Sequence, residues 1–242
     1  MAVLTPPRVV ETIHYPESDG QPMADNTLQF RWIVTIQGGL DALFANRPDV
    51  FVAGDFLWYP VEGDNTTRIA PDVLVAIGRP KGDRGSYRQW LEDNLPPQVV
   101  FEVLSPGNTP TEMVRKFAFY ERYGVEEYYL YDPDRGELSG WARAAGRLET
   151  VTSMEGWVSP RLGIRFRLAD GELRLYTPDG RPFDTYVELA KRAAQAESRA
   201  AQAESRAAQA ESHAAQEADE RRAAGAEVTR LREELARLRG TS

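Results

Sequence analysis

The sequence predicts a mixed α/β domain followed by a long heptad-patterned helix, and three observations predict it. Short apolar runs rich in Val, Ile, Phe and Tyr alternate with two stretches of helical periodicity. Beyond Asp134, turn signals at DRGE, AAGR, MEGW, ADGE and PDGR recur between short segments, as in an antiparallel meander. From Ala193 the chain repeats AAQAESR, AAQAESR, AAQAESH, a period of seven. The expected division is 1–183 for the globular domain and 184–242 for a coiled coil.

Each element has its own reason. QFRWIVTIQGGLDALFA (29–45) places Trp32, Ile36, Leu40 and Leu43–Phe44 on one helical stripe. DVFVAGDFLWYP (49–60) and APDVLVAIG (70–78) read as strands. A polar loop, RPKGDRGSYRQWLEDNLPP (79–97), leads to VVFEVLSP (99–106), a further strand. The next helix is well signed. Thr109 caps it, Pro110 suits its first position, Glu112 completes a Thr-x-x-Glu box and Gly124 ends it. Met113, Phe117 and Tyr120 form its apolar stripe, and VEEYYLYD (125–132) follows as another strand.

With Ala193 at heptad position a, the a series runs Tyr186, Ala193, Ala200, Ala207, Ala214, Arg221, Val228, Leu235. The d series runs Leu189, Ala196, Ala203, Ala210, Glu217, Ala224, Leu231, Leu238. Glu217, Arg221 and the e-position Gly225 interrupt the seam, so a weak or bent segment is expected there. Flanking charges attract in a parallel pair (Arg199 with Glu204, Arg206 with Glu211, Glu227 with Arg232, Glu234 with Arg239) and also in an antiparallel one. Orientation stays open. A homo-oligomer is the expected assembly, a lone Ala-rich helix the alternative.

Composition bounds the function. There is no Cys, so disulfides and thiolate metal sites are excluded, and only His14 and His213 occur, too few for a His-based centre or a Ser-His-Asp triad. MAVLTPPRVV lacks the apolar core of a signal peptide, and no run approaches the ~18 apolar residues of a membrane span. A soluble, cytoplasmic protein is expected. The first 183 residues carry 19 basic and 26 acidic side chains, the remainder 10 and 11. The acidic domain argues against a protein that coats nucleic acid by charge alone.

One residue disturbs this pattern. Glu102 interrupts the apolar run VVFEVL, and an unpaired carboxylate buried there costs several kcal/mol. Asp72 opens the neighbouring run PDVLVAI. Two carboxylates on core strands repel when both are ionised, and a shared divalent cation resolves the conflict. Mg²⁺ suits such a site because it takes few carboxylates, keeps waters and leaves room for a phosphate oxygen. Lys116 lies at the border of its helix's buried stripe, where it can reach inward and stabilise developing charge. Each residue also has a structural explanation: Asp72 a turn residue, Glu102 a partner for Lys116 or Arg115, Lys116 a stem covering apolar surface.

Pro71–Asp72, Glu102-Val103-Leu104-Ser105-Pro106, Lys116, Tyr120 and GVEEYYLYDP resemble the Uma-type family of restriction endonucleases, a branch of the PD-(D/E)XK nucleases. The resemblance spans Ile13 to Phe183. It implies a restriction-endonuclease-like mixed sheet flanked by helices, and a metal-dependent endonuclease acting on DNA. It also implies that Asp72, Glu102 and the Val103 carbonyl bind Mg²⁺, with Mn²⁺ as a substitute, and that Lys116 completes the catalytic set. Two departures stand out. The superfamily's lysine position, two after the glutamate, holds Leu104, so the role passes to Lys116 on the next helix. Where the family offers an upstream Tyr-Glu, this chain has Pro16, with Glu17, Asp25 and Asp55 as stand-ins. Arg79, Lys81, Arg84 and Arg88 on the basic loop are either DNA phosphate contacts or solvated charges. The competing expectation is a non-catalytic oligomerisation or adaptor protein that retains the nuclease fold.

Overall fold

A computed structural model describes residues 13–18, 20 and 22–239. The segment MAVLTPPRVV lies outside the described residues, as do the side chains of Leu238 and Arg239 used in the heptad reading. The chain divides into two compact units, one through Thr185 and one from Tyr186.

The first helix, α1 (Thr27–Leu43), starts where the Asn26 side chain accepts a hydrogen bond from the Gln29 N–H at 2.8 Å. Trp32, Ile33, Ile36 and Leu40 form its buried face. DVFVAGDFLWYP is not one strand. It gives β1 (Val50–Gly54) and then breaks at Asp55, whose φ of 44° leaves the extended region. The short β2 (Trp58–Tyr59) follows and pairs in parallel with β4 (Tyr87–Arg88). Between them, β3 (Val73–Ile77) joins β1 antiparallel.

β5 (Val99–Val103), α2 (Pro110–Tyr123) and β6 (Glu127–Asp132) form a β-α-β unit, with β5 parallel to β6 and antiparallel to β3. Thr109 caps α2 by accepting from the Glu112 N–H, and Gly124 closes it in the left-handed region. The Glu112 carboxylate turns to the Asn108 side-chain amide instead of completing the box with Thr109. The expected meander splits in two. β7 (Glu137–Ala144) and β8 (Arg147–Thr150) extend the main sheet, giving the order β1-β3-β5-β6-β7-β8. β9 (Arg165–Ala169) and β10 (Glu172–Tyr176) form a separate hairpin.

Strand alternation then builds two cores. Val73, Val75, Val99, Phe101, Val103, Tyr129 and Tyr131 face α1 and the hairpin's Phe166, Leu173 and Leu175. Leu74, Ala76, Val100 and Tyr128 face α2, where Tyr120 is fully buried. Gly39 in α1 leaves the space that the Phe183 ring fills, which pins the end of this unit onto its first helix.

The second unit is one helix, α3 (Tyr186–Arg239), 54 residues and roughly 80 Å long. It continues through Glu217, Arg221 and Gly225, where a weak or bent segment was expected. Every side chain described along it is exposed. Among the described residues, no helix is long and apolar enough to cross a membrane.

Candidate active site

The site forms where β3 begins and β5 ends. Because these strands run antiparallel, Asp72, just before β3, comes beside the last residues of β5. Asp72 Oδ2 accepts from the Val103 N–H at 2.6 Å. Glu102 projects to the α2 face of the sheet. There its Oε2 takes a hydrogen bond from Lys116 Nζ at 2.7 Å, and its Oε1 takes one from the Tyr120 hydroxyl. The i, i+4 spacing of Lys116 and Tyr120 puts both on one face of α2, so one helix grips both carboxylate oxygens. Asp72 and Glu102 are 9% and 2% exposed, and the Lys116 side chain 16%.

The electrostatics follow from this geometry. Burial, and then the neighbouring Glu102, hold the Asp72 carboxyl well above the ordinary carboxylate range, against the pull of Lys116 and the Val103 N–H. For Lys116, burial pulls the pKa down, but Glu102 and Asp72 together outweigh it and raise the ammonium above its usual value. Lys116 is therefore a fixed cation at neutral pH. Burial and Glu102 also push the Tyr120 hydroxyl well above its normal range, so it serves as a donor.

Asp72 and Lys116 line an open cleft of about 450 Å³ together with Asp25, Gln29, Asp55, Asn108 and Glu112. The acidic excess on its walls favours a cation. Of the three stand-ins for an upstream acid, Asp25 and Asp55 line the cleft and Glu17 does not. The Asp25 carboxylate accepts from the Ser105 hydroxyl, which ties the start of α1 to the loop after β5. Two residues join the site that sequence reasoning did not single out. Gln29 donates from Nε2 to the Val103 carbonyl at 2.8 Å, while its Oε1 accepts from the Asp25 N–H at 2.8 Å. Ser105 is buried beneath the loop. A lone glutamine inside the apolar stripe LQFRWIV was the available signal for Gln29.

The basic loop lies elsewhere. It leaves the far end of β3, five residues and roughly 16 Å from Asp72. None of Arg79, Lys81, Arg84 and Arg88 lines the cleft. Arg79 and Arg84 pair with Glu92, Arg79 also pairs with Asp93, and Lys81 holds Asp41 at 2.6 Å. Arg88 lies over the Tyr15 ring and has no carboxylate partner among the described residues.

The order of these parts along the chain can be set against known proteins. The sequence matches the Uma2 family, described as "putative restriction endonuclease", over residues 18–169. The chain belongs to the Uma2 family. That match contains Asp72, Glu102 and Lys116. No curated protein matches the chain. Among solved structures, this Uma2 protein is similar to one described as a putative nuclease from Anabaena variabilis, at 15% identity and a TM-score of 0.43, over 58% of this chain and 74% of that one.

The donors in the cleft are all oxygens, the set a hard cation prefers. Among the described residues, no three His, Asp or Glu side chains group as a ready-made metal site. Asp72 offers its carboxylate to the cleft. Both Glu102 oxygens and the Val103 carbonyl, the other two expected ligands, already accept hydrogen bonds from Lys116, Tyr120 and Gln29. A cation held there would take its place beside these donors and complete its shell with water.

Proposed function

We propose that this Uma2 domain is a Mg²⁺-dependent endonuclease that hydrolyses DNA phosphodiester bonds at the Asp72–Glu102–Lys116 cleft. The observation that carries the reading is the charge balance. Two buried carboxylates share one lysine at the wall of an open acidic cleft, and one of the carboxyls is held well above its ordinary range. A divalent cation would relieve that repulsion.

Asp72, Glu102 and the Val103 carbonyl would hold the ion. When bound, Mg²⁺ polarises a phosphate oxygen and makes a bound water more acidic. Gln29 fixes the direction of the Val103 carbonyl, and the Tyr120 hydroxyl fixes the rotamer of Glu102. Lys116, held protonated, acts on the charge that develops on the phosphate and orients the attacking water; it does not serve as the base. Arg88 is the member of the basic loop best placed to add a remote phosphate contact, because its charge is not already matched by a carboxylate.

One observation favours a second reading, a non-cleaving adaptor that keeps the nuclease fold: both Glu102 oxygens already have protein partners. A plasmid-nicking assay separates the two. The nuclease reading expects supercoiled DNA to be nicked in Mg²⁺ or Mn²⁺, not in EDTA, and not by Asp72→Asn. Equal amounts of nicking by the parent and Asp72→Asn, or none by the parent with either metal, would contradict it.

A further inference from the structure

We propose that α3 is an antiparallel dimerisation rod, in which a second copy of this chain packs against the heptad seam in one register centred on Asp219. The surface is an exposed helix face, and the second copy is identified by charge complementarity. Because α3 is continuous from Tyr186 to Arg239, the heptad phase set by the AAQAESR repeats carries unbroken through Gly225 to the Leu-rich end. Facing pairs can therefore be read directly.

The two interrupting residues decide the orientation. Parallel helices place each a or d residue opposite its own copy, so Arg221 would face Arg221 and Glu217 would face Glu217. Both are like-charge contacts in the seam, where they are least screened. Antiparallel helices place a opposite d, and centring on Asp219 sets Arg221 against Glu217 of the second copy, twice per dimer. Along its own helix Glu217 meets only the exposed His213, at 3.4 Å, and Arg221 makes no ion pair among the described residues.

The same register also matches the rest of the seam and most of its flanks. Val228, Leu231 and Leu235, each about half exposed in the single chain, fall opposite Ala210, Ala207 and Ala203. Large side chains thus meet small ones along the seam, and Ala214 meets Ala224. On the flanks, Arg206 faces Glu234, Glu204 faces Arg232 and His213 faces Glu227. One contact is unfavourable, Glu220 with Glu220, and it lies at the rim where water and salt screen it. Sliding the antiparallel pair by one heptad keeps several flank pairs but leaves Glu217 and Arg221 facing apolar residues, Ala214 and Ala210 in one direction and Val228 and Ala224 in the other. The parallel alternative would bring Tyr186 and Leu189 together, which the antiparallel overlap leaves out, but it cannot relieve the central charges. In the antiparallel rod the two Tyr186 ends lie roughly 100 Å apart along its axis, so the helix spaces two copies apart.

The chain has no cysteine, which makes the test clean. Full-length Ala214→Cys and Ala224→Cys proteins are prepared, oxidised separately and then as a mixture. The proposal expects a disulfide in the mixture and none in either protein alone, since two copies of position 214 lie about 15 Å apart in this register. Cross-linking of Ala214→Cys with itself, or no cross-link in any sample, overturns it. Sedimentation supplies the second arm. Glu217→Arg and Arg221→Glu should each weaken the dimer at least about tenfold, and the double exchange should restore it. A monomeric parent chain, or single exchanges without effect, would overturn the proposal.

Discussion

Two buried glutamates sit on neighbouring parallel strands of this sheet, both 2% exposed, and they are held in different ways. Glu127, at the start of β6, has three neutral donors: the Tyr129 hydroxyl at 2.8 Å, the Ser159 hydroxyl and the Arg161 N–H at 2.6 Å. It ties the 159–161 loop to the sheet. Glu102, at the end of β5, has a lysine and a tyrosine, and beside it a second carboxylate, Asp72, that together with the lysine lines a cleft. Burial of an acid is thus not a functional signal by itself. What sets Glu102 apart is that its lysine also faces a second acid, Asp72, at the wall of a cleft.

The largest effect that would sharpen this contrast is catalytic. Lys116→Met keeps the stem's packing and removes the charge, and cleavage should fall on the order of 10²–10³-fold. Single-turnover nicking with the folded fraction measured in parallel checks it. Unchanged cleavage would place Lys116 with the structural lysines.

Glu127→Ala should do the reverse. It strands three buried donors, so stability should fall by about 2–3 kcal/mol while cleavage per folded molecule holds. Urea unfolding beside the nicking assay measures both. A collapse of activity without loss of stability would erase the distinction between the two glutamates.

A smaller effect is written in pH. Burial, followed by Glu102, raises the Asp72 carboxyl, so its contribution to stability is fully present below the unfolded carboxylate pKa and is lost as pH rises through the folded value. In cation-free protein, stability should therefore fall across that window, at up to about 1.4 kcal/mol per pH unit for this one group. Burial also raises Glu127, despite the opposing pull of its hydrogen bonds, so its sign is the same. Mg²⁺ should remove only the Asp72 part, and Asp72→Asn should remove it without metal. Melts at a series of pH values, with EDTA or Mg²⁺, read the difference.

The smallest effect concerns the basic loop. Arg84→Ala with Arg88→Ala should lower the log–log salt slope of DNA binding by about 1, from Arg88 alone, because Arg84 is already held by Glu92. A drop of two or more would mean that Arg84 exchanges its internal partner for phosphate.

How much of this was legible in the sequence depended on how local the signal was. α2 was readable because Thr109, Pro110 and Gly124 act within one turn of its ends. That Glu102 would be buried and paired, with Asp72 at the start of a neighbouring strand, was readable because a charge inside an apolar run needs a partner. The break at Asp55 was not, since the apolar run continues across it and only the positive φ marks the corner. Gln29 was missed because its partner, the Val103 carbonyl, is 74 residues away and a main-chain acceptor has no sequence signature. Where the basic loop would lie was not readable from its place between the two carboxylate strands; their antiparallel pairing puts it at the ends away from Asp72 and Glu102.

The central claim, that Asp72 and Glu102 form a cation site, is tested most directly by thermal unfolding of the parent, Glu102→Gln and Glu127→Gln in EDTA and in Mg²⁺. At saturating Mg²⁺, about a hundred times the dissociation constant, the parent and Glu127→Gln should each gain about 2.7 kcal/mol. Glu102→Gln should gain nothing. In EDTA it should be as stable as the parent or more so, because Asp72 remains to balance Lys116. A parent that does not respond to Mg²⁺, together with a Glu102→Gln protein destabilised by roughly 3–5 kcal/mol in EDTA, would show that Glu102 is half of a structural ion pair and contradict the account.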